Sequence, residues 1–236
     1  NYICADEKFG RVKITVVIPA WNEERTVGAV VHEVRQYAQE VIVVDDGSSD
    51  GTGEVAAREG ARVLRHAANR GQGAALQTGI SAALARGADI IVTFDADGQF
   101  SASEIPRVVA PIASGNVHAA LGSRFLGTVY GMPTLRKLML KAATVFTSRT
   151  TGLRLTDTHN GFRAFSRRAA ELLALRQDRM AHASEILHAI AEHRLSFCEV
   201  PVTLHYNRHT LRKGQRLLNA FHIVFDLAKE RFLKRT

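Results

Sequence analysis

Four short runs of β-branched and apolar residues punctuate the first hundred positions, at 13–18, 41–44, 62–64 and 89–94. Between them the apolar residues recur at helical spacing, as in Val27, Val30, Val31 and Val34, or Leu76, Ile80, Ala83 and Leu84. Strands and helices alternating at these lengths predict right-handed βαβ crossovers and a mostly parallel α/β sheet flanked by helices. Ligands of such open sheets sit outside the carboxyl ends of the strands. The strand ends are therefore where chemistry is sought.

The fourth run ends directly in Phe94-Asp95-Ala96-Asp97-Gly98-Gln99. Two carboxylates at i and i+2, just past a strand, can face one point. A hard divalent cation bridging phosphate oxygens would fill that point. The same residues also fit a plain helix start, with Asp97 or Ser101 as the N-cap. The second run ends in Asp45-Asp46-Gly47-Ser48-Ser49-Asp50-Gly51-Thr52. An acid there can accept hydrogen bonds from a base or a ribose, and Asp50 is placed to cap the next helix. Pro19 is expected to stop the first strand. No Gly-x-Gly-x-x-Gly follows that strand and no Gly-x-x-x-x-Gly-Lys-Ser/Thr occurs, which argues against dinucleotide and P-loop binding.

The second half continues the alternation, with a helix through Ile105, Val108, Val109 and Ile112, a strand near 119–121 and a two-glycine loop at 127–133. An amphipathic helix at 135–147 carries Arg136, Lys137 and Lys141. A polar turn at 157–161 then enters a strand at 162–165, and helices at 167–175 and 183–193 precede a strand at 197–204. Residues 1–11 read as a tail, 12–210 as the folded domain, and 211–236 as a basic amphipathic helix. A helix of that kind can lie on an anionic membrane or pack on the domain.

At 236 residues, with 46% apolar and 23% charged, the chain reads as one globular domain with an appendage. It contains no run of 18 or more apolar residues and no leader pattern, so neither a membrane span nor a secretory signal is expected. Cys4 and Cys198 are far apart and read as reduced thiols. The net charge of +8 implies an anionic partner. Nucleic acid is disfavoured, because the basic residues concentrate late and no stacking aromatics interleave them.

Six motifs occur in one order: Pro19-Ala20-Trp21-Asn22-Glu23, Val44-Asp45-Asp46-Gly47-Ser48, Asn69-Arg70-Gly71-x-Gly73, Asp95-Ala96-Asp97-Gly98-Gln99, Gly122-Ser123-Arg124-Phe125 and Asp157-x-x-x-Gly161-Phe162-Arg163. Together they resemble the family-2 GT-A glycosyltransferases, the dolichyl and polyprenyl phosphate mannose or glucose synthases above all, over roughly 12–215. The resemblance implies a GT-A (Rossmann-like) fold and a nucleotide-sugar donor, UDP- or GDP-linked. Pro19, Trp21, Glu23, Val44 and Asp46 would hold base and ribose, with Ala96 against the nucleotide. Asp95, Asp97 and Gln99 would ligate Mg²⁺ or Mn²⁺. Arg124 would reach the diphosphate or sugar, and Arg136 and Arg163 the acceptor phosphate. Arg208 and Lys213 resemble a basic pair that closes on phosphates, although Arg208 lies one residue further from Pro201 than the family pattern has it. Trp21 stands where Tyr is more usual.

The activity implied is an inverting, metal-dependent hexose transfer to polyprenyl phosphate, with Asp97, Arg124, Arg163 and Asp157 as the catalytic set. The protein would be cytoplasmic and peripheral at the inner membrane face, brought there by its C-terminal helix or a small membrane subunit. The alternative is transfer to a sugar hydroxyl, which needs a general base. Glu185 and Asp157 are the candidates for it, because the stretch 180–185 has one Glu and no Asp.

Overall fold

The computed structural model describes residues 12–173, 175 and 182–206. The tail, Cys4, the expected helix at 211–236, Arg208 and Lys213 lie outside the described residues. Strand β1 (Ile14–Ala20) leads through helix α1 (Val27–Val34) to β2 (Glu40–Asp45). Then come α2 (Thr52–Arg58), β3 (Arg62–Arg65), α3 (Gln72–Ala85) and β4 (Ile90–Thr93). A 3₁₀ turn (Ala102–Glu104) opens α4 (Ile105–Ala113), followed by β5 (Ala119–Ser123), β6 (Val129–Tyr130) and α5 (Thr134–Thr151). The rest is β7 (Arg163–Ser166), α6 (Arg167–Leu172), α7 (His182–Glu192), β8 (Phe197–Pro201) and β9 (Leu204–His205).

Seven strands form one sheet in the order β3-β2-β1-β4-β7-β5-β8. Neighbours run parallel except at β7, which is antiparallel to both β4 and β5. The strand period sorts the core into two layers. Val16, Ile18, Val41 and Val43 pack with Val27 and Val31 of α1, Ala56 of α2, and Ile105 and Val108 of α4. Val17, Ile42 and Val44 face Leu76 and Ile80 of α3, Ala169 of α6 and Ile186 of α7. A strand covered on both faces must be apolar at every position, which is why β1 and β2 read as continuous runs.

Three expectations change. First, β1 runs past Pro19, which pairs with Val44 in register. The Ala20 carbonyl accepts from Asp46 N on the β2 side, and the Val17 carbonyl from Phe94 N on the β4 side. Pro19 therefore turns its nitrogen toward β4, and β4 has already ended at Thr93 opposite Val17. The missing N–H removes no ladder bond. Second, the expected strand at 197–204 breaks after Pro201. The chain leaves β5, the Thr203 N–H and hydroxyl donate to Glu104, and β9 pairs with β6 in a separate two-stranded ribbon. Third, helix bounds move: α6 ends at Leu172, short of the expected 175, and α5 runs past the expected 147 to Thr151, where Gly152 stops it at φ 73°.

Candidate active site

The strand order reverses between β1 and β4, since β2 and β3 build outward on one side of β1 and β4 lies on the other. Crevices open at such reversals, at the carboxyl ends. Pro19–Glu23 and Phe94–Gln99 flank this one. Trp21 stands half exposed at its rim. Asn22 adopts φ 53°; its N–H donates to Ser48 Oγ (3.0 Å) and its Oδ1 accepts from Ser49 N (2.9 Å). These bonds fasten the end of β1 to the turn after β2.

The two acids ending β2 divide the work. Asp45 is inside, accepting from Ser48 N (2.9 Å) with Arg65 Nε at 3.4 Å. Asp46 is buried at the crevice, where it accepts from Arg70 N (2.9 Å) and Gly71 N (2.7 Å) and meets His66 Nδ1 at 2.7 Å. The far ring nitrogen of His66 lies 3.0 Å from Thr78 Oγ1. The carboxylate is thus locked in one rotamer, and the 66–71 loop is drawn across the sheet edge.

Below Asp95 and Asp97 sits an aromatic triad. Phe94, Phe100 and Phe162 meet with ring centroids 5.0–5.7 Å apart, all buried. It joins the Asp-x-Asp loop to the 157–162 turn. Thr93 Oγ1 also donates to the Gly161 carbonyl at 2.7 Å. Asp95 accepts from Gln72 Nε2 (3.2 Å), and its carboxylate occupies the space a side chain at Gly161 would need. A Cβ at 161 would come within 2.6 Å of Asp95 Cγ, so only glycine fits there. Burial raises the Asp95 pKa, and the negative Glu23 adds to it, while Arg163 and Arg124 pull the other way. Such a carboxylate gains most from a cation. Asp97 accepts from Gln99 N (3.1 Å) and Gln99 Nε2 (2.8 Å), so Gln99 braces Asp97 and keeps its own amide oxygen as the donor atom it could offer a metal.

Among the described residues no three His, Cys, Asp or Glu side chains converge as a closed metal cage. Two carboxylates and an amide oxygen are hard donors. They suit Mg²⁺ or Mn²⁺ completed by phosphate and water, and not a soft metal.

The opposite wall is cationic. Arg124, 5% exposed, donates from Nε to Asp157 (2.6 Å), from Nη1 to Tyr206 Oη (2.9 Å) and from Nη2 to the His159 carbonyl. Burial works against its charge, but Asp157 and Tyr206 outweigh that, and its pKa rises. Arg163, 4% exposed, sits in β7 opposite Thr93 and donates to the Thr158 carbonyl (3.1 Å). Burial, with Arg124 adding, lowers its pKa to about 10 against the pull of Asp157 and Asp95, so it stays charged at neutral pH. His159 is pushed to about 4 by burial, with Arg163 and Arg124 contributing against Asp157. It is neutral there.

Asp157 has both oxygens committed. Oδ2 accepts from Arg124 N and Nε, and Oδ1 from His159 N (3.2 Å). It positions Arg124 and the turn; the geometry does not present it as a base. Arg136, on α5, holds its guanidinium 4.8 Å over the Tyr206 ring. Glu185 lies in the first turn of α7.

Four residues escape a reading of the sequence: His66, Gln72, Glu199 and Tyr206. Gln72 falls inside a quoted motif as its unassigned position. Glu199 accepts from Thr156 N (2.9 Å) and Asp157 N (3.1 Å), which sets the turn. His66 and Tyr206 find their partners 12 to 82 residues away, and nothing local announces them.

The profile of Glycosyl transferase family 2 matches residues 15–173. An uncharacterized protein of Methanocaldococcus jannaschii is 36% identical over 93% of this chain and 92% of its own length. The UDP-N-acetylglucosamine–dolichyl-phosphate N-acetylglucosaminyltransferase of Methanococcus voltae is 31% identical, over 91% and 94%. The polyprenol monophosphomannose synthase of Mycolicibacterium smegmatis is 30% identical, over 80% and 76%. Among solved structures, glucosyl-3-phosphoglycerate synthase from Mycobacterium tuberculosis, in complex with Mn²⁺ and UDP-glucose, superimposes with a TM-score of 0.66 at 25% identity. That match covers 89% of this chain and 77% of the other. The sheet with its reversed β7 is accordingly GT-A-like. The chain therefore belongs to glycosyl transferase family 2 and is a glycosyltransferase.

Proposed function

We propose that this enzyme moves a hexose from a UDP- or GDP-sugar to polyprenyl phosphate, with inversion. One observation carries the reading: Asp95, the first of the two carboxylates, lies within electrostatic reach of the buried Arg163 and Arg124 guanidiniums. A site with cations on one side and metal-ligating acids on the other suits several phosphate oxygens at once. Two relatives are named for transfer to a dolichyl or polyprenol phosphate, which supports the same acceptor class.

Asp46 would hold the base or ribose, with Trp21 stacking at the rim and Pro19, Glu23, Val44 and Ala96 shaping the pocket. Asp95, Asp97 and Gln99 would hold Mg²⁺ or Mn²⁺, which supplies charge neutralisation on the departing diphosphate. Arg163 and Arg136 would receive the acceptor phosphate, with Arg124 between them and the sugar. An acceptor oxygen attacks the anomeric carbon from the face opposite the diphosphate. The new C–O bond forms as the old one breaks, and the nucleoside diphosphate leaves. A phosphate acceptor is already ionised near neutral pH, so no side chain has to remove a proton. Commitment of Asp157 to Arg124 and His159 favours this over a hydroxyl acceptor. Arg208 and Lys213 would close on the phosphates, and a peripheral location at the inner membrane face follows from the acceptor.

The test is a transfer assay with Mn²⁺, a short-chain polyprenyl phosphate and labelled UDP- and GDP-sugars. Label is expected in the organic phase, and Asp97→Ala is expected to abolish it. No label from any donor, alongside metal-dependent nucleotide binding, overturns the acceptor. Loss of turnover in Glu185→Gln with donor binding intact would point to a hydroxyl acceptor instead.

A further inference from the structure

His66 is buried and titratable, and the hexose transfer gives it no task. It is the first residue past β3, and its N–H donates to the Asp45 carbonyl (2.9 Å), one bond beyond the last β2–β3 pair. Its side chain is 9% exposed. Both ring nitrogens are engaged, Nδ1 at 2.7 Å from Asp46 Oδ1 and the other at 3.0 Å from Thr78 Oγ1 on α3. An ionised carboxylate only accepts, so Nδ1 is the donor of the first bond. The loop that carries the ring is fixed as well. Gly47 turns at φ 70°, and a Cβ there would lie 2.6 Å from the Ala68 carbonyl carbon.

The consequence lies in what this bond takes from Asp46. An ionised carboxylate has about four acceptor positions, about two on each oxygen. Oδ1 uses both, for His66 Nδ1 and Arg70 N (2.9 Å). Oδ2 accepts from Gly71 N (2.7 Å), and among the described residues nothing fills its second position. Nucleotide bases differ on this count. The uracil edge presents one N–H, at N3, between two carbonyl oxygens. The guanine edge presents N1–H and the exocyclic amino group side by side. That fork pairs with both oxygens of an open carboxylate, as a guanidinium does. Asp46 with one position left matches uracil. Against guanine, one N–H stays unpaired or the His66 bond has to break, and either is costly in a buried place.

We infer that His66 is a positioning residue that turns Asp46 into a single-acceptor site, and that it thereby selects a uridine diphosphate donor over a guanosine diphosphate donor. The inference deepens the nucleotide-sugar reading and rests on Asp46 meeting the base. It is independent of which acceptor receives the sugar.

The experiment is calorimetry on the full chain with Mn²⁺, comparing UDP with GDP for the wild type, His66→Leu and His66→Asn. The wild type is expected to bind UDP about tenfold or more tighter than GDP. His66→Leu opens a position on Oδ1 and should cut that preference about tenfold. A merely structural loss would weaken both nucleotides alike and leave their ratio unchanged. His66→Asn keeps an N–H near the place of Nδ1 and should keep the preference. Equal affinities or a GDP preference in the wild type overturn the inference. So does an unchanged ratio in His66→Leu, or a His66→Asn variant that behaves as His66→Leu does. If neither nucleotide binds with the metal, the donor reading falls and the inference with it. If UDP binds selectively while no label reaches polyprenyl phosphate, the acceptor reading alone fails and the role of His66 stands.

Discussion

Tyr206 does two things with one side chain. Its hydroxyl accepts from Arg124 at 2.9 Å, and its ring lies under the guanidinium of Arg136 at 4.8 Å. A neutral hydrogen-bond partner and a cation–π contact are each worth about 1 kcal/mol. Tyr206→Phe keeps the ring and should lower transfer only about fivefold. Tyr206→Ala frees Arg136 as well and should raise the acceptor KM about tenfold or more, with the donor KM little changed. Steady-state kinetics with both substrates varied separates the two. Gly161 carries a different constraint. Any side chain there displaces the Asp95 carboxylate, so Gly161→Ala should weaken metal-dependent nucleotide binding about tenfold or more in calorimetry. The same variant should leave metal-independent binding in place. The motif reading named Gly161 and Asp95 separately; their contact, 66 positions apart in sequence, is a product of the β4–β7 pairing.

Helix α3 shows how an element is seated. It lies on β1 and β2 through small residues, Ala75, Gly79 and Ala83. A Cβ at Gly79 would overlap Val17 Cγ1 and lie 3.2 Å from Val44 Cγ2. Gly79→Ala should therefore cost about 1–3 kcal/mol by overpacking. The check is urea unfolding, with the midpoint lowered and the slope unchanged. Because α3 begins with Gln72, which reaches Asp95, a displaced helix should loosen the site as well. Helix α5 teaches the converse. Its sequence reads simply as amphipathic, yet its buried face is the weaker one, Leu140 with two threonines, while Leu135 and Leu138 face out. Periodicity reveals that a helix has faces; it does not say which face the domain covers.

For the whole molecule, the crevice is closed by groups that converge from nearly every strand end. The binding free energy of nucleoside diphosphate should then appear as stability. UDP or GDP is expected to raise the melting temperature only with Mn²⁺ or Mg²⁺ present, with EDTA removing the gain and Asp97→Ala abolishing it. A shift that persists in EDTA would show that the metal is not held between protein and phosphate. The βαβ order, the two-layer core and the carboxylates at the strand ends were legible from the sequence. They follow from local periodicity and from where apolar runs stop, and both are properties of contiguous residues. The family resemblance was legible as well, because it rests on short motifs in order. What only the tertiary structure decided is how those motifs touch. It set β7 antiparallel between β4 and β5, passed Pro19 through the ladder where β4 had ended, bound Asp157 to Arg124, and brought Tyr206 to Arg124 across 82 residues. Local pattern encodes which elements form and where apolar runs stop, whereas a residue's partner is chosen by the packing of distant strands, which the pattern does not contain.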